Sequence, residues 1–190
     1  MNLSLTLPSS FSARLQTARV TSSFVVDSKG SVVAEDGSSK GLGNDSDLSL
    51  LKALRQHSQV VLTSGLTARI ERYRMPATAD LAIFTKAGVS ELGLKPKPGQ
   101  RLVLLTPPEI SSYQAALETL LGSYSNVHVE FGPEGFRQVL ERIDLVVVSG
   151  KAEQGVREFV ESFELVPESH FELAELFVTL AVGRGKASKS

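Results

Sequence analysis

The sequence predicts an α/β fold with a mostly parallel central sheet, flanking helices and a C-terminal antiparallel hairpin. Short apolar runs such as VVLT and LVVVSG alternate with helical patterns through the middle of the chain. That alternation is typical of parallel strands joined by helical crossovers. The runs are continuously apolar, as in strands buried on both faces. The last part of the chain is strand-rich instead, which predicts the hairpin.

The bulk composition limits the kinds of partner. The chain has 190 residues with 20 basic and 21 acidic side chains, a net charge of −1. This length predicts one domain with a sizeable core. The balanced charge creates no field that would attract nucleic acid or an anionic membrane, so we expect neither as a partner.

Cysteine is absent and three histidines are scattered along the chain. Disulfides and thiolate sites are therefore excluded, and we expect no metal site. No apolar run approaches about 20 residues, so no membrane span is predicted. The N-terminus lacks the basic start and apolar centre of a secretion signal, and the cytoplasm is the expected location.

The chain divides into an N-terminal arm (1–17), a single domain (18–185) and a disordered tail (186–190) in this interpretation. Within the domain, β-branched and continuously apolar runs predict strands, and apolar residues at helical spacing predict helices. The predicted strands are 19–26, 60–63, 81–85, 101–106, 127–131 and 144–150, with 172–182 as the second arm of the hairpin. The predicted helices begin near 48, 112 and 136, and a long Gly/Ser/Asp loop spans 35–47.

The first candidate site is the turn after the 60–63 strand. Gly65 could let a phosphate approach the backbone, while the hydroxyls of Ser64 and Thr67 and the first helical N–H groups hold it. The alternative is a plain strand-to-helix turn with a threonine cap. The sequence leaves both open.

Two more turns suit an anion. In EFGPEGF, Gly132 and Gly135 bracket Pro133 and Glu134 directly before a helix, although Pro133 could simply fix that turn. In FTKAG, a hydroxyl and a cation end a strand at 85–86, a combination that suits a lone phosphate such as the 2′-phosphate of NADPH. The alternative is a solvated surface lysine.

Four charged residues beside strand ends are possible substrate contacts: Asp27, Lys29, Glu71 and Arg74. Each could equally be a solvated charge, and the last two are spaced for a local ion pair if their segment is helical. His128 lies inside an apolar strand and is expected to be a core or edge histidine rather than a catalyst.

Four segments in order resemble one family: RVTSSFVVDSKGSVV, EDGSSKGLGNDSDLSLLKALRQHSQVVL, SGLTARIERYR and VEFGPEGFRQVL. Over residues 18–182 the chain resembles the C-terminal reductase domain of the bifunctional riboflavin-pathway deaminase-reductase, which has a dihydrofolate-reductase-like fold. The match is close at Thr67, Arg69, Glu71, Tyr73 and Arg74. The zinc deaminase motif needs cysteines, so we expect no deaminase domain within these residues.

The resemblance implies NADPH-dependent reduction of a ribosylamino-pyrimidine phosphate, which opens its ribose to a ribitol chain. It also implies a homodimer. The implied catalytic residues are Asp27 and Lys29, with Asp27 or a water that it orients as the proton donor. The implied cofactor-binding residues are Thr63, Ser64, Gly65, Thr67, Thr85, Lys86, Phe131, Gly132, Pro133, Glu134 and Gly135. The implied substrate-binding residues are Asp27, Ser38, Gly41, Glu71 and Arg74.

The chain departs from the family pattern at several places, among them Ser64 in place of a glycine, 143–145 in place of Val-Asp-Glu-Leu, and two turns. Ser-Leu-Asp-Gly is replaced by Asp27-Ser28-Lys29-Gly30, so that a lysine stands where the family has an acid. Glu-Gly-Gly-Pro has Phe131 in place of its first glycine, which would crowd a backbone that bends closely against the cofactor. Two hypotheses follow: an NADPH-dependent reductase, or an altered descendant that acts as a ligand-binding or structural protein.

Overall fold

A computed structural model describes residues 18–25, 45–130, 144–150, 166–173 and 176–184. The predicted arm (1–17), most of the predicted 35–47 loop, the predicted helix beginning near 136 and the tail (186–190) lie outside these residues. The division into arm, domain and tail therefore stays a prediction.

The elements follow the alternation that the sequence predicts. In chain order they are β1 (Val20–Val25), α1 (Asp45–His57), β2 (Val60–Ser64), α2 (Gly65–Ile70), β3 (Asp80–Phe84), a short 3₁₀ turn (Ser90–Leu92), β4 (Leu102–Leu105), α3 (Tyr113–Leu121), β5 (Val127–Glu130), β6 (Asp144–Gly150), β7 (Val166–Leu173) and β8 (Leu176–Arg184).

The eight described strands form one sheet in the order β4-β3-β2-β5-β1-β6-β8-β7. The strands from β4 to β6 in this order pair in parallel, and β8 is antiparallel to both β6 and β7. The predicted fold class is confirmed. The predicted second arm of the hairpin (172–182) is wrong at its start, because β7 extends to Leu173 and β8 begins at Leu176.

The core is built around β2, which is buried at all five positions. Beside it, Val61, Leu81 and Ile83 form a cluster with Ala68 of α2. A connection between two parallel strands is almost always right-handed, so the direction in which the chain moves across the sheet decides which face the connecting helix covers. Two connections that move in opposite directions therefore place their helices on opposite faces. The chain runs outward from β2 to β4 and then returns to β5, so α2 and α3 lie on opposite faces.

The carboxyl ends of β2, β3 and β5 meet at one edge. Thr63 is opposite Glu130, and Ser64 is opposite Phe84. Among the described helices, none has the length and apolar character needed to cross a membrane.

The buried face of α1 gives a direct test of the fold. Leu54 is fully buried whereas Leu66 on α2 is 68 % exposed. We expect Leu54→Ala to lower the free energy of unfolding by about 2–5 kcal/mol, because it removes core contacts and leaves a cavity. Leu66→Ala should change it by less than about 0.5 kcal/mol. Urea unfolding of both variants measures the difference, and equal losses would contradict this packing.

Candidate functional site

The turn after β2 is closed by a serine cap. The Ser64 hydroxyl accepts a hydrogen bond from the backbone N–H of Thr67 at 3.0 Å, and the two hydroxyl oxygens are 2.9 Å apart. This cap satisfies one of the N–H groups that a helix leaves unpaired in its first turn. The capping alternative is therefore present, with Ser64 rather than a threonine as the cap.

Gly65 is needed for packing against the next strand. A Cβ atom at Gly65 would lie 2.5 Å from Oγ1 and 2.8 Å from Cβ of Thr85, which is too close for a side chain. The glycine thus brings two of the predicted cofactor segments, 63–67 and 85–86, into contact. Lys86 follows directly and is exposed.

The helix after this turn is tied to the loop that follows β3. The guanidinium group of Arg69 donates to the carbonyl of Gly88 and to the carboxylate of Glu91. These contacts fix α2 against the segment that carries Thr85 and Lys86.

A buried hydroxyl links the end of β2 to the end of β5. Thr63 is fully buried, and its hydroxyl donates to the carbonyl of Glu130 at 2.8 Å. Glu130 is the last residue of β5. The predicted turn after β5 therefore begins next to the predicted turn after β2.

The carboxylate of Glu130 is buried, with only 5 % of the side chain exposed, and Arg55 neutralises it. Arg55 donates from Nε to Oε1 at 2.7 Å and from Nη2 to Oε2 at 2.6 Å, a two-bond fork of the strong kind. The Tyr73 hydroxyl also donates to Oε2. The Arg55 guanidinium lies 5.3 Å from the centre of the Tyr73 ring, within the range of a cation–π contact.

These contacts fix the charges of the cluster. Burial opposes ionisation of Glu130, but the hydrogen bonds and charge of Arg55 hold the pKa of the carboxyl below its usual value. Burial and the neighbouring Glu130 carboxylate raise the pKa of Tyr73 well above its usual value. The cluster is thus an ion pair with a neutral tyrosine at neutral pH.

His128 lies next to the ion pair of Glu130 and Arg55, and its imidazole is neutral at neutral pH. Burial lowers its pKa to about 4, although the nearby Glu130 carboxylate acts the other way. Its Nε2 is 3.4 Å from Oε1 of Glu130, and its Nδ1 is 2.7 Å from the Thr21 hydroxyl. These two contacts hold the imidazole ring between Thr21 and Glu130. The prediction of a core histidine is confirmed.

Arg55 was not among the predicted site residues, and Glu130 was treated only as the start of a turn. Tyr73 was noted only within the family resemblance. The sequence signal for this cluster is an acidic residue that ends a strand whose other positions are also buried. Such an acid needs a partner, but the sequence does not identify a residue 75 positions away as that partner.

The predicted substrate contacts are only partly described. The condition for a local ion pair between Glu71 and Arg74, a helical segment, is not met, because α2 ends at Ile70 and Arg72 has a positive φ of 49°. Both residues flank Tyr73, and Arg74 is exposed. The remaining predicted site residues lie outside the described residues: Asp27, Lys29, Ser38, Gly41, Phe131, Gly132, Pro133, Glu134 and Gly135.

A second carboxylate cluster lies at the opposite edge of the sheet. Asp80, the first residue of β3, accepts from the backbone N–H and Nε of Arg101 at 2.8 and 2.9 Å and from the Tyr124 hydroxyl at 2.7 Å. Burial, hydrogen bonding to Asp80 and the charge of Asp80 raise the pKa of Tyr124 to about 12. An open polar cavity of 380 Å³ is lined by these residues and by Gln56, Gln59 and Ser123.

This second cluster joins the starts of β3 and β4 to the segment before β5. Ligands of open parallel sheets bind outside the carboxyl ends of the strands, so the edge with Ser64 and Glu130 is the candidate site. In the described part of the chain, no group of three or more His, Asp or Glu side chains is placed to hold a metal ion.

No family model matches the sequence, and no curated protein matches it. Solved structures do match its fold. A pyrimidine reductase-like protein from Corynebacterium diphtheriae has a TM-score of 0.63 and 16 % identity, over 94 % of this chain and 96 % of that one. The riboflavin biosynthesis reductase Rib7 of Saccharomyces cerevisiae has a TM-score of 0.59 and 15 % identity, over 96 % and 94 %.

A dihydrofolate reductase from Enterococcus faecalis, solved in complex with NADP(H), also matches, with a TM-score of 0.52 and 12 % identity over 88 % of this chain and 97 % of that one. The chain therefore has a dihydrofolate-reductase-like fold. The resemblance to riboflavin-pathway reductases is confirmed at the level of three-dimensional structure and covers most of the chain.

The buried histidine predicts how stability depends on pH. The pKa of His128 is about 4 in the folded protein against 6.5 for the ordinary group, so the unfolded chain binds more protons between these values. The free energy of unfolding should thus fall as pH drops from 6.5 to 4, by about 3 kcal/mol from this group. Glu130, whose pKa is also lowered, adds a further loss at lower pH.

Urea unfolding at several pH values measures this slope. We expect His128→Gln to flatten it between pH 6.5 and 4. His57→Gln removes an exposed imidazole on α1 and should retain the slope, because His128 is still present. An unchanged slope in His128→Gln would contradict the assignment.

Proposed function

We propose that this protein is an NADPH-dependent reductase of the riboflavin-pathway type, which transfers a hydride to a ribosylamino-pyrimidine-like substrate. The observation that carries the proposal is that two predicted cofactor segments, 63–67 and 85–86, meet the end of β5 at one carboxyl edge. The turn after β2 contacts Thr85 through Gly65, and its Thr63 bonds to the end of β5.

The chemistry of this edge suits an anionic cofactor. It offers the hydroxyls of Ser64 and Thr67, the N–H groups that α2 leaves unpaired in its first turn, and the exposed cation of Lys86. The carboxylate of Glu130 is neutralised by Arg55 and does not repel a phosphate. In this proposal the turns at 63–67 and 131–135 hold NADPH, and Thr85 and Lys86 meet its 2′-phosphate.

NADPH, when bound, supplies the hydride, and the protein supplies position and charge. Asp27, or a water that it orients, provides the proton, and Lys29 lies beside the reacting group in this proposal. Ser38, Gly41, Glu71 and Arg74 hold the substrate. We also propose a homodimer, on the family resemblance alone, and the cytoplasm remains the expected location.

A second candidate is an altered descendant that kept the fold and binds a different ligand or protein. Phe131 and Lys29 favour it, since they replace a glycine and an acid of the family pattern. The two candidates differ on one property, because a reductase must bind its nicotinamide cofactor and a scaffold need not.

Calorimetric titration with NADPH and NADH separates the two candidates. We expect micromolar NADPH binding with a clear preference over NADH, followed by oxidation of bound NADPH when a ribosylamino-pyrimidine phosphate is added. No heat with either nucleotide would refute the reductase and leave the altered descendant.

The 2′-phosphate contact is tested with two lysine variants. Lys86→Ala should weaken NADPH binding by about tenfold and leave NADH binding nearly unchanged, because a charge-assisted bond to the phosphate is lost. Lys95→Ala removes another exposed lysine, outside the predicted cofactor segments, and should change neither affinity. Equal losses for NADPH and NADH in Lys86→Ala would remove this assignment.

A further inference from the structure

We propose that Arg55 and Tyr73 are positioning residues for the cofactor edge, which act by holding the Glu130 carboxylate. The inference rests on the proposed function and deepens it, since it names the side chains that shape the same site. Neither residue needs to touch cofactor or substrate in this role.

One carboxylate connects separate segments of the chain. Arg55 lies in the last turn of α1, Tyr73 follows α2, and Glu130 ends β5. Both side chains donate to the Glu130 carboxylate, while the Glu130 carbonyl accepts from Thr63 at the end of β2. The proposed cofactor turn at 63–67 is therefore fixed relative to the end of β5 by this residue.

The network has direct consequences for an anionic ligand. Loss of Arg55 would leave the buried charge of Glu130 without its partner, at the edge where phosphates are proposed to bind. Loss of the Tyr73 hydroxyl keeps the ion pair but removes the hydrogen bond that ties the segment after α2 to the end of β5. Both changes reduce the fraction of molecules with the edge preformed, and the apparent affinity falls with that fraction.

The opposite edge supplies a matched control. Asp80 there is bonded to Arg101 and to the Tyr124 hydroxyl, and the Arg101 guanidinium lies 5.1 Å from the centre of the Tyr124 ring. Tyr124→Phe thus removes the same kind of tyrosine–carboxylate bond at the amino ends of the strands. A merely structural role would make Tyr73→Phe and Tyr124→Phe behave alike.

The experiment compares Tyr73→Phe with Tyr124→Phe by NADPH titration, thermal unfolding and amide hydrogen exchange. We expect both variants to lower the melting temperature. Of the two variants, only Tyr73→Phe should raise the Kd for NADPH. The increase is about tenfold if the fraction of molecules whose cofactor edge is preformed falls to about a tenth. It should also speed exchange in peptides that cover 60–67 and 127–130.

A matched pair of Arg55 variants separates geometry from charge. Arg55→Lys keeps the charge but cannot form the two-bond fork, so exchange at 60–67 should still rise. Arg55→Met should weaken NADPH binding more than the double variant Arg55→Met/Glu130→Gln, because the double variant leaves no unpaired carboxylate.

Failure of the proposed function is distinguishable from failure of this inference. If the wild-type protein does not bind NADPH, the reductase is refuted, and hydrogen exchange alone decides the positioning role. Faster exchange at 60–67 in Tyr73→Phe, absent from Tyr124→Phe, supports it. Equal exchange in the two variants overturns it, whether or not NADPH binds.

Discussion

The ion pair between Glu130 and Arg55 is the interaction on which the carboxyl edge of the sheet depends. A buried carboxylate is costly unless it is paired and hydrogen-bonded, and here Arg55, Tyr73 and His128 surround it. Because its donors come from different elements, the cost of burying Glu130 is offset only when those elements are in their native places. The pair thus specifies an arrangement, and it contributes more to the geometry of the edge than to net stability.

A buried, hydrogen-bonded carboxylate lies at the amino ends of the parallel strands as well as at their carboxyl ends. Antiparallel strands are joined by tight turns that align their ends, whereas parallel strands are joined by long crossovers that do not. Asp80 with Arg101 and Tyr124 ties the amino ends, and Glu130 with Arg55 and Tyr73 ties the carboxyl ends. The amino-end cluster fixes strand starts beside an open cavity, while the carboxyl-end cluster lies beside the turns that suit a phosphate.

The local elements were predictable because their signals are local. The run DLVVVSG, apolar from 145 to 148, predicted the bounds of β6, and the alternation of strands and helices predicted a parallel sheet. The insertion of β5 between β1 and β2 was not predictable from periodicity, because strand order depends on contacts between distant segments. The predicted start of the second hairpin arm was wrong for a related reason: only the strand pairing shows that Leu173 belongs to β7 and that β8 begins at Leu176.

In the candidate site, too, residues with a local sequence signal were predictable and residues defined by distant contacts were not. Ser64, Gly65 and Thr85 could be singled out because small and hydroxyl residues at strand ends have a recognisable pattern. Gly65 was chosen for the approach of a phosphate, and the fold uses its missing side chain to pack against Thr85. Arg55 was missed, since on the sequence it is one charged residue in an amphipathic helix and its partner is far along the chain.

The most direct test is a crystal structure of the protein with NADP⁺ bound. Our interpretation requires the diphosphate to lie against residues 64–67, with the 2′-phosphate near Lys86 and Glu130 still paired with Arg55 and Tyr73. A nucleotide in the cavity beside Asp80 and Tyr124, or one that breaks the Glu130–Arg55 pair, would contradict it.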